Sequence, residues 1–329
     1  MAVIDCSIET LRAALSIEGV RAARDIVYEH LSPTPLMRHP LLCNALGIDL
    51  WLKHENHNPT GAFKIRGGLN YMHHLPAAER ARGVTTATRG NHGQSIGMAA
   101  QLHGVRCVVV VPRGNNPEKN AAMRSFGVEL IEHGKDFDEA REHCELLSQR
   151  DGLVYVHSGN EPHLIHGVGT YSLEILEQLP EIDVIIVPVG GGSAMAGAIV
   201  VFRALKPSVR IIGVQAENAP AVYQSWKTGS RVSTESAETI ADGLATRAPF
   251  DLPLSMMRDG LDDFVLVSEA EIRAAMRLLV EMTHNLAEGA GAAATAAAKK
   301  LAPQLRGKKI VAVLSGANVD MTTLRSVLA

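Results

Sequence analysis

The sequence predicts an α/β fold, and three observations carry that reading. Short β-rich runs and helical patterns alternate along most of the chain. Two of the runs, 107–111 and 184–187, are apolar throughout instead of alternating apolar with polar residues. Strands buried on both faces look like that, as in a parallel sheet covered by helices. Finally, no repeat, low-complexity tract or charged tail interrupts the alternation, which is the signature of parallel strands joined by crossover helices.

Taken in order, residues 8–31 have helical spacing and close at Ser32-Pro33, where proline discourages further helix. β-rich runs follow at 49–53, 84–86, 106–111, 128–131, 154–156, 183–187, 209–214, 264–267 and 309–314. Helical patterns at 91–103, 137–149, 163–179 and 269–284 lie between them. The alanine-rich stretch 287–298 reads as a tightly packed helix.

Composition narrows the function. The chain has 329 residues, enough for about two domains at roughly 150 residues each. Composition shows no linker and hence no boundary. Lys and Arg number 32 against 35 Asp and Glu, a net charge of −3. That near-balance argues against a nucleic-acid or anionic-membrane binder, and 4% aromatics are too few for a base-stacking platform. Cys6, Cys43, Cys107 and Cys144 form no C-x-x-C pair and sit beside no His at ligand spacing, so neither a zinc site, a redox motif nor a disulfide framework is expected. The start carries Asp5 and Glu9 without an apolar core, so no signal peptide is expected. No apolar run reaches about 18 residues, so no membrane span is expected and the location should be cytoplasmic.

Three segments carry chemistry. In the first, an apolar strand from Val184 runs into Gly190, Gly191, Gly192 and Ser193 and then a helical pattern. Convergent amides and a helix N-terminus make an anion cradle suited to phosphate; a tight strand-to-helix turn packed with small residues is the plainer reading. Neither G-x-x-x-x-G-K-[ST] nor G-x-G-x-x-G is present. In the second, Pro59-Thr60-Gly61 launches a helix and puts Lys64 near its first turn. A cation there opposes the helix dipole and should have a depressed pKa, which suits a neutral nucleophile or an imine-forming amine; a solvated surface lysine is the alternative. In the third, Thr88-Arg89-Gly90-Asn91-His92-Gly93-Gln94 follows another strand and opens another helix. It could receive a carboxylate or serve only as an N-capping turn.

In combination, NPTGAFKIRG, RGNHGQ, PVGGG and SGAN are highly specific. From Thr34-Pro35-Leu36 to Ser315-Gly316-Ala317-Asn318 the chain resembles the fold type II pyridoxal-phosphate enzymes of the threonine/serine dehydratase and serine racemase group. The resemblance implies two open, mostly parallel, twisted sheets covered by helices, a tryptophan synthase β-like architecture. It also implies a discontinuous large domain (1–78 and 160–329), a small inserted domain (79–159) carrying the substrate-carboxylate loop, and a homodimer. The cofactor implied is pyridoxal 5′-phosphate. Lys64 matches the lysine that carries it as an imine, Phe63 the residue packed on its ring, and Asn91 the partner of the ring hydroxyl. Gly190, Gly191, Gly192 and Ser193 match the phosphate cradle and Ser315 the serine facing the pyridine nitrogen. Gly243 matches a backbone contact and Glu288 an acidic residue near the ring. Thr88, Arg89, Asn91 and His92 form the turn that would receive the substrate.

The implied reaction is α,β-elimination from a β-hydroxy amino acid to a 2-oxo acid and ammonia, on threonine, serine, 3-hydroxyaspartate or phenylserine. Lys64 and Arg89 are the candidate catalytic residues. Arg89 stands where racemases of the group carry a serine acid/base. A guanidinium is a poor proton acceptor, so little racemisation is expected. Arg89 instead suits a bidentate carboxylate contact or pairs with a surface acid. An amino-acid racemase, a non-catalytic amino-acid-binding protein and a β-replacement enzyme are the competing readings. Gln215 and Ala221 stand where serine racemase has acidic cation ligands, so no metal is expected. The sequence stops soon after Ser315, so the C-terminal regulatory domain of biosynthetic threonine dehydratases, and feedback through it, are not expected.

Overall fold

The computed structural model describes residues 7–329. Cys6 and most of the segment weighed for a secretion signal lie outside them. The described residues hold ten strands: β1 (Leu36–Arg38), β2 (Asp49–His54), β3 (Val84–Ala87), β4 (Cys107–Val111), β5 (Glu129–Glu132), β6 (Val154–Tyr155), β7 (Val184–Pro188), β8 (Arg210–Ala216), β9 (Asp263–Val267) and β10 (Lys309–Leu314). They form a six-stranded sheet in the order β1-β2-β10-β7-β8-β9 and a four-stranded sheet in the order β5-β4-β3-β6. Every pairing is parallel except β1 with β2.

The all-apolar runs are explained by both faces of the large sheet being covered. On one face Leu50, Leu52, Ile186, Ile212, Val214, Ile310 and Ala312 pack against the alanines of helix Gly289–Lys300. On the other, Ile185, Val187, Ile211, Val311 and Val313 meet helices Pro162–Gln178 and Ser193–Leu205. Burying each such aliphatic side chain stabilises by about 1.5–3 kcal/mol relative to exposure. The small sheet repeats the plan, with helices Ile65–His74 and Asn91–Leu102 on one face and Phe137–Asp151 on the other.

Two expectations need correction, and one strand was not expected. The helix read over 8–31 is two, Ile8–Ala13 and Ile17–Tyr28. Ser16 breaks it: its side chain accepts from Gly19 N at 3.0 Å as an N-cap, and its own amide donates to His166 Nε2 at 3.2 Å. The alanine-rich helix begins at Gly289, not 287, because Glu288 is extended at its N-cap. The edge strand β1 has only three residues, too few to show a period.

The strands point one way toward a common opening. β3 ends before Thr88, β7 before the triple glycine and β10 before Ser315. The C-terminal ends of strands and the N-termini of the following helices thus face the same cleft, the usual ligand position in open α/β sheets.

Candidate active site

One cleft, with about 900 Å³ of empty space including its mouth, is lined by all thirteen residues singled out in the sequence. Its floor is stitched from distant segments. Phe63 N donates to Ser315 O at 3.1 Å, Ala317 N to Gly61 O at 2.9 Å, and Glu288 N to Gly316 O at 3.1 Å. Ser95 Oγ donates to Lys64 O at 2.7 Å, tying the lysine segment to helix Asn91–Leu102. Gly61, at φ +66°, makes the turn before Lys64 in a conformation that other residues rarely adopt.

Lys64 occupies the N-cap position of helix Ile65–His74 and is half-buried on the cleft wall. Its Nζ lies 5.1 Å from the Phe63 ring centroid, and no described residue accepts a hydrogen bond from it. Desolvation lowers its pKa to about 8, while the Glu288 charge acts in the opposite direction. Burial is thus the main physical cause of the depressed pKa that the helix position had suggested.

Opposite, the triple glycine leads from β7 into helix Ser193–Leu205. A Cβ on Gly190 would overlap the Gly243 carbonyl oxygen, and one on Gly191 the Phe250 ring. Packing against the 242–250 loop therefore demands small residues here. The cradle reading gains from the helix N-terminus, whose first amides have no acceptor within the helix.

Glu288, which is buried, and the half-buried Asn91 form a hydrogen-bonded chain with Asn318. Asn91 Nδ2 donates to Glu288 Oε1 at 2.6 Å, and Asn318 Nδ2 donates to Asn91 Oδ1 and to Thr60 O, both at 2.8 Å. Burial raises the Glu288 pKa, against Lys119 and the Asn91 hydrogen bond. Asn91 keeps one amide hydrogen for a further acceptor.

In the third segment, Thr88 Oγ1 accepts from Gly90 N at 2.9 Å and Gly93 N at 3.3 Å. Its hydroxyl oxygen thus performs the capping role that was the plainer reading. His92 is buried, and its Nε2 has no partner. Desolvation and then the Lys64 charge push its pKa down to about 3, so the ring is neutral. Arg89 Nη1 makes one long contact, 3.5 Å to Asp242 Oδ1.

Sequence reasoning missed Lys119 and Asp242. Lys119 Nζ reaches Asp242 Oδ2 at 2.7 Å across the cleft mouth, joining helix Pro117–Ser125 to the turn 242–244. No local pattern marks a pair 123 positions apart. At the position aligned with a cation ligand of serine racemase, Gln215 Oε1 accepts from Tyr223 N at 3.0 Å. Among the described residues no group of three or more His, Cys, Asp or Glu side chains could hold a metal.

With this geometry in view, comparisons place the chain among known proteins. The profile of the family described as pyridoxal-phosphate dependent enzyme matches residues 27–316. An L-threonine ammonia-lyase of Thermotoga maritima is 38% identical over 315 residues, covering 95% of this chain and 78% of that one. The processed form of threonine deaminase isoform 2 from Solanum lycopersicum superposes with a TM-score of 0.91 at 33% identity, covering 97% of this chain and 92% of that one. The structure of maize serine racemase gives 0.89 at 32% identity, covering 95% and 96%.

Proposed function

The chain belongs to the pyridoxal-phosphate dependent enzyme family, and from that premise we propose that it converts a β-hydroxy amino acid to a 2-oxo acid and ammonia. The observation that carries the proposal is a lysine with a pKa near 8 and no hydrogen-bond partner among the described residues, in one cleft with a glycine turn and Ser315. These residues fit the cofactor: an unengaged amine for its aldehyde, a helix N-terminus for its phosphate and a hydroxyl for its ring nitrogen.

Gly190, Gly191, Gly192 and Ser193 would hold the phosphate, Phe63 the ring face, Asn91 the ring hydroxyl, and Gly243 and Glu288 the ring's surroundings. Lys64 would bind the cofactor covalently through Nζ. Bound there, pyridoxal phosphate supplies an electron sink for the pair left when a bond at the substrate Cα breaks. Once the substrate amine has taken its place on the cofactor, the freed Lys64 Nζ would take the Cα proton, a task that suits an amine whose pKa lies near neutrality. The Ser315 hydroxyl cannot hold a ring nitrogen protonated as a carboxylate would, which favours loss of the β-hydroxyl over transamination. Water lost from Cβ and regained on release of ammonia leaves a 2-oxo acid. Thr88, Asn91 and His92 would place the substrate carboxylate, with Arg89 beside it.

Likeness to a serine racemase keeps a second reading in view. A guanidinium at position 89 argues against it, because a second-face acid/base must give up its proton. The same proposal includes residues 79–159 as a small domain inserted in a large one, a homodimer and a cytoplasmic location. Sedimentation of the purified holoenzyme tests the dimer.

The test is 2-oxo-acid release from threonine, serine, 3-hydroxyaspartate and phenylserine, with chiral analysis of the remaining amino acid. Keto-acid release without inversion at Cα is expected. Inversion without keto acid would overturn the lyase reading in favour of a racemase.

A further inference from the structure

Arg89, Asp242 and Lys119 form a chain of charge at the cleft mouth whose two links are unequal. Lys119 Nζ sits 2.7 Å from Asp242 Oδ2, and Lys119 is buried. Arg89 Nη1 is 3.5 Å from Asp242 Oδ1, and the Arg89 side chain keeps 34% of its surface exposed. Lys119 is therefore the tighter of the two partners of Asp242. Asp242 is itself 38% exposed and keeps its contact with Lys119, so Arg89 can leave without stranding its charge. Arg89 also lines the main cleft and the two polar cavities beside it, so its fork is open from the substrate side.

We propose that Asp242 is a resident carboxylate that Arg89 gives up to a substrate, and that the released guanidinium selects amino acids bearing a second carboxylate on the side chain. Only one N–H of Arg89 is engaged by Asp242, whereas an incoming carboxylate can take two in a planar fork. The methyl group of threonine or the hydrogen of serine offers that fork nothing. Lys119 is a positioning residue in this scheme: it keeps Asp242 from gripping Arg89 with both oxygens. This inference rests on reading the cleft as an amino-acid lyase site, so its test includes a binding measurement that needs no turnover.

Calorimetric titration of the holoenzyme compares L-aspartate with L-alanine, and kcat/KM compares 3-hydroxyaspartate with threonine. Aspartate should bind at least about tenfold tighter than alanine, as expected for a charge-assisted bidentate contact. Arg89→Gln should erase that preference. Lys119→Met should reduce it several-fold by returning Arg89 to Asp242, and Asp242→Asn should increase it. The kcat/KM ratio should move in the same directions. Equal affinity for aspartate and alanine in the wild type, or a preference that survives Arg89→Gln, overturns the proposal. So does an equal loss on both substrates, which would assign Arg89 to the α-carboxylate. If keto-acid release fails on every substrate while the aspartate preference holds, the lyase reading fails and this one stands.

Discussion

Arg66 and Lys64 stand two residues apart at the start of one helix, yet their surroundings are built on opposite rules. Arg66 is fully buried and every side of its guanidinium is met. It donates to Glu55 at 2.7 and 2.9 Å, to Glu174 at 2.6 and 3.0 Å, and to Thr170 at 3.0 Å. Lys53 Nζ completes the cluster, 2.5 Å from Glu174 and 2.7 Å from the Thr34 carbonyl oxygen. Two cations face two carboxylates, and the attraction of Arg66 and Lys53 holds the Glu55 carboxyl below its usual range against the effect of burial. Lys64 has no such partner among the described residues. A fold that satisfies one buried cation so fully has the means to satisfy a half-buried one two residues away, and here it does not. Unpaired charge near a cleft is costly, and it persists where chemistry uses it. The Arg66 cluster also ties the helix of Lys64 to the loop at Thr34, the end of β2 and helix Pro162–Gln178, so the unpaired amine rests on the best-paired part of the protein.

The contrast can be broken by substitution, starting with the largest expected effect. Arg66→Met strands two buried carboxylates with only Lys53 and should cost about 3–5 kcal/mol, read as a lower urea midpoint. Lys64→Met should leave that midpoint unchanged or raise it, by up to about 2 kcal/mol, while abolishing turnover. The sign follows from the pKa. The folded-state value near 8 lies below that of an unfolded lysine, so between about 8 and 10.4 the unfolded chain binds more protons and stability rises with pH. At neutral pH the charged amine is a net cost that methionine removes. A midpoint lowered as much by Lys64→Met as by Arg66→Met would erase the distinction between the two regions.

Two smaller effects sharpen it. Glu288→Gln keeps an acceptor for Asn91 and removes a charge that burial already disfavours, so it should cost no more than about 1 kcal/mol in urea unfolding. In cofactor-free protein, an amine-directed reagent followed by peptide mass spectrometry should label Lys64 with a pH midpoint near 8, and surface lysines near 10.4. A Lys64 midpoint that matched the surface lysines would return it to the solvated reading.

What could be read in the sequence divides along the same physical line. β4 and β7 were legible because burial on both faces leaves an apolar run, a signal carried within five residues. The Lys64 turn and the last glycine of the triple run were legible because Gly61 and Gly192 adopt a positive φ that few other residues can. The two-helix N-terminus was not, because the break at Ser16 depends on His166, 150 positions away. The Asp242–Lys119 pair was hidden for the same reason. Arg66 was in view beside Lys64, but nothing local tells a buried arginine from a solvated one. Its partners Glu55 and Glu174 come together only when helix Pro162–Gln178 packs beside it. The apolar contribution of Gly190 and Gly191 was likewise obscure: their small size answers to Gly243 and Phe250, which the sequence places some fifty residues later.

The central claim is that the amine of Lys64 is the group that takes the cofactor. Holoenzyme reduced with borohydride and digested with a protease should carry the pyridoxyl mass on the peptide containing Lys64, and Lys64→Ala protein should show neither that mass nor the visible absorption band. The mass found on another lysine, or a full visible band in the Lys64→Ala protein, would contradict the account.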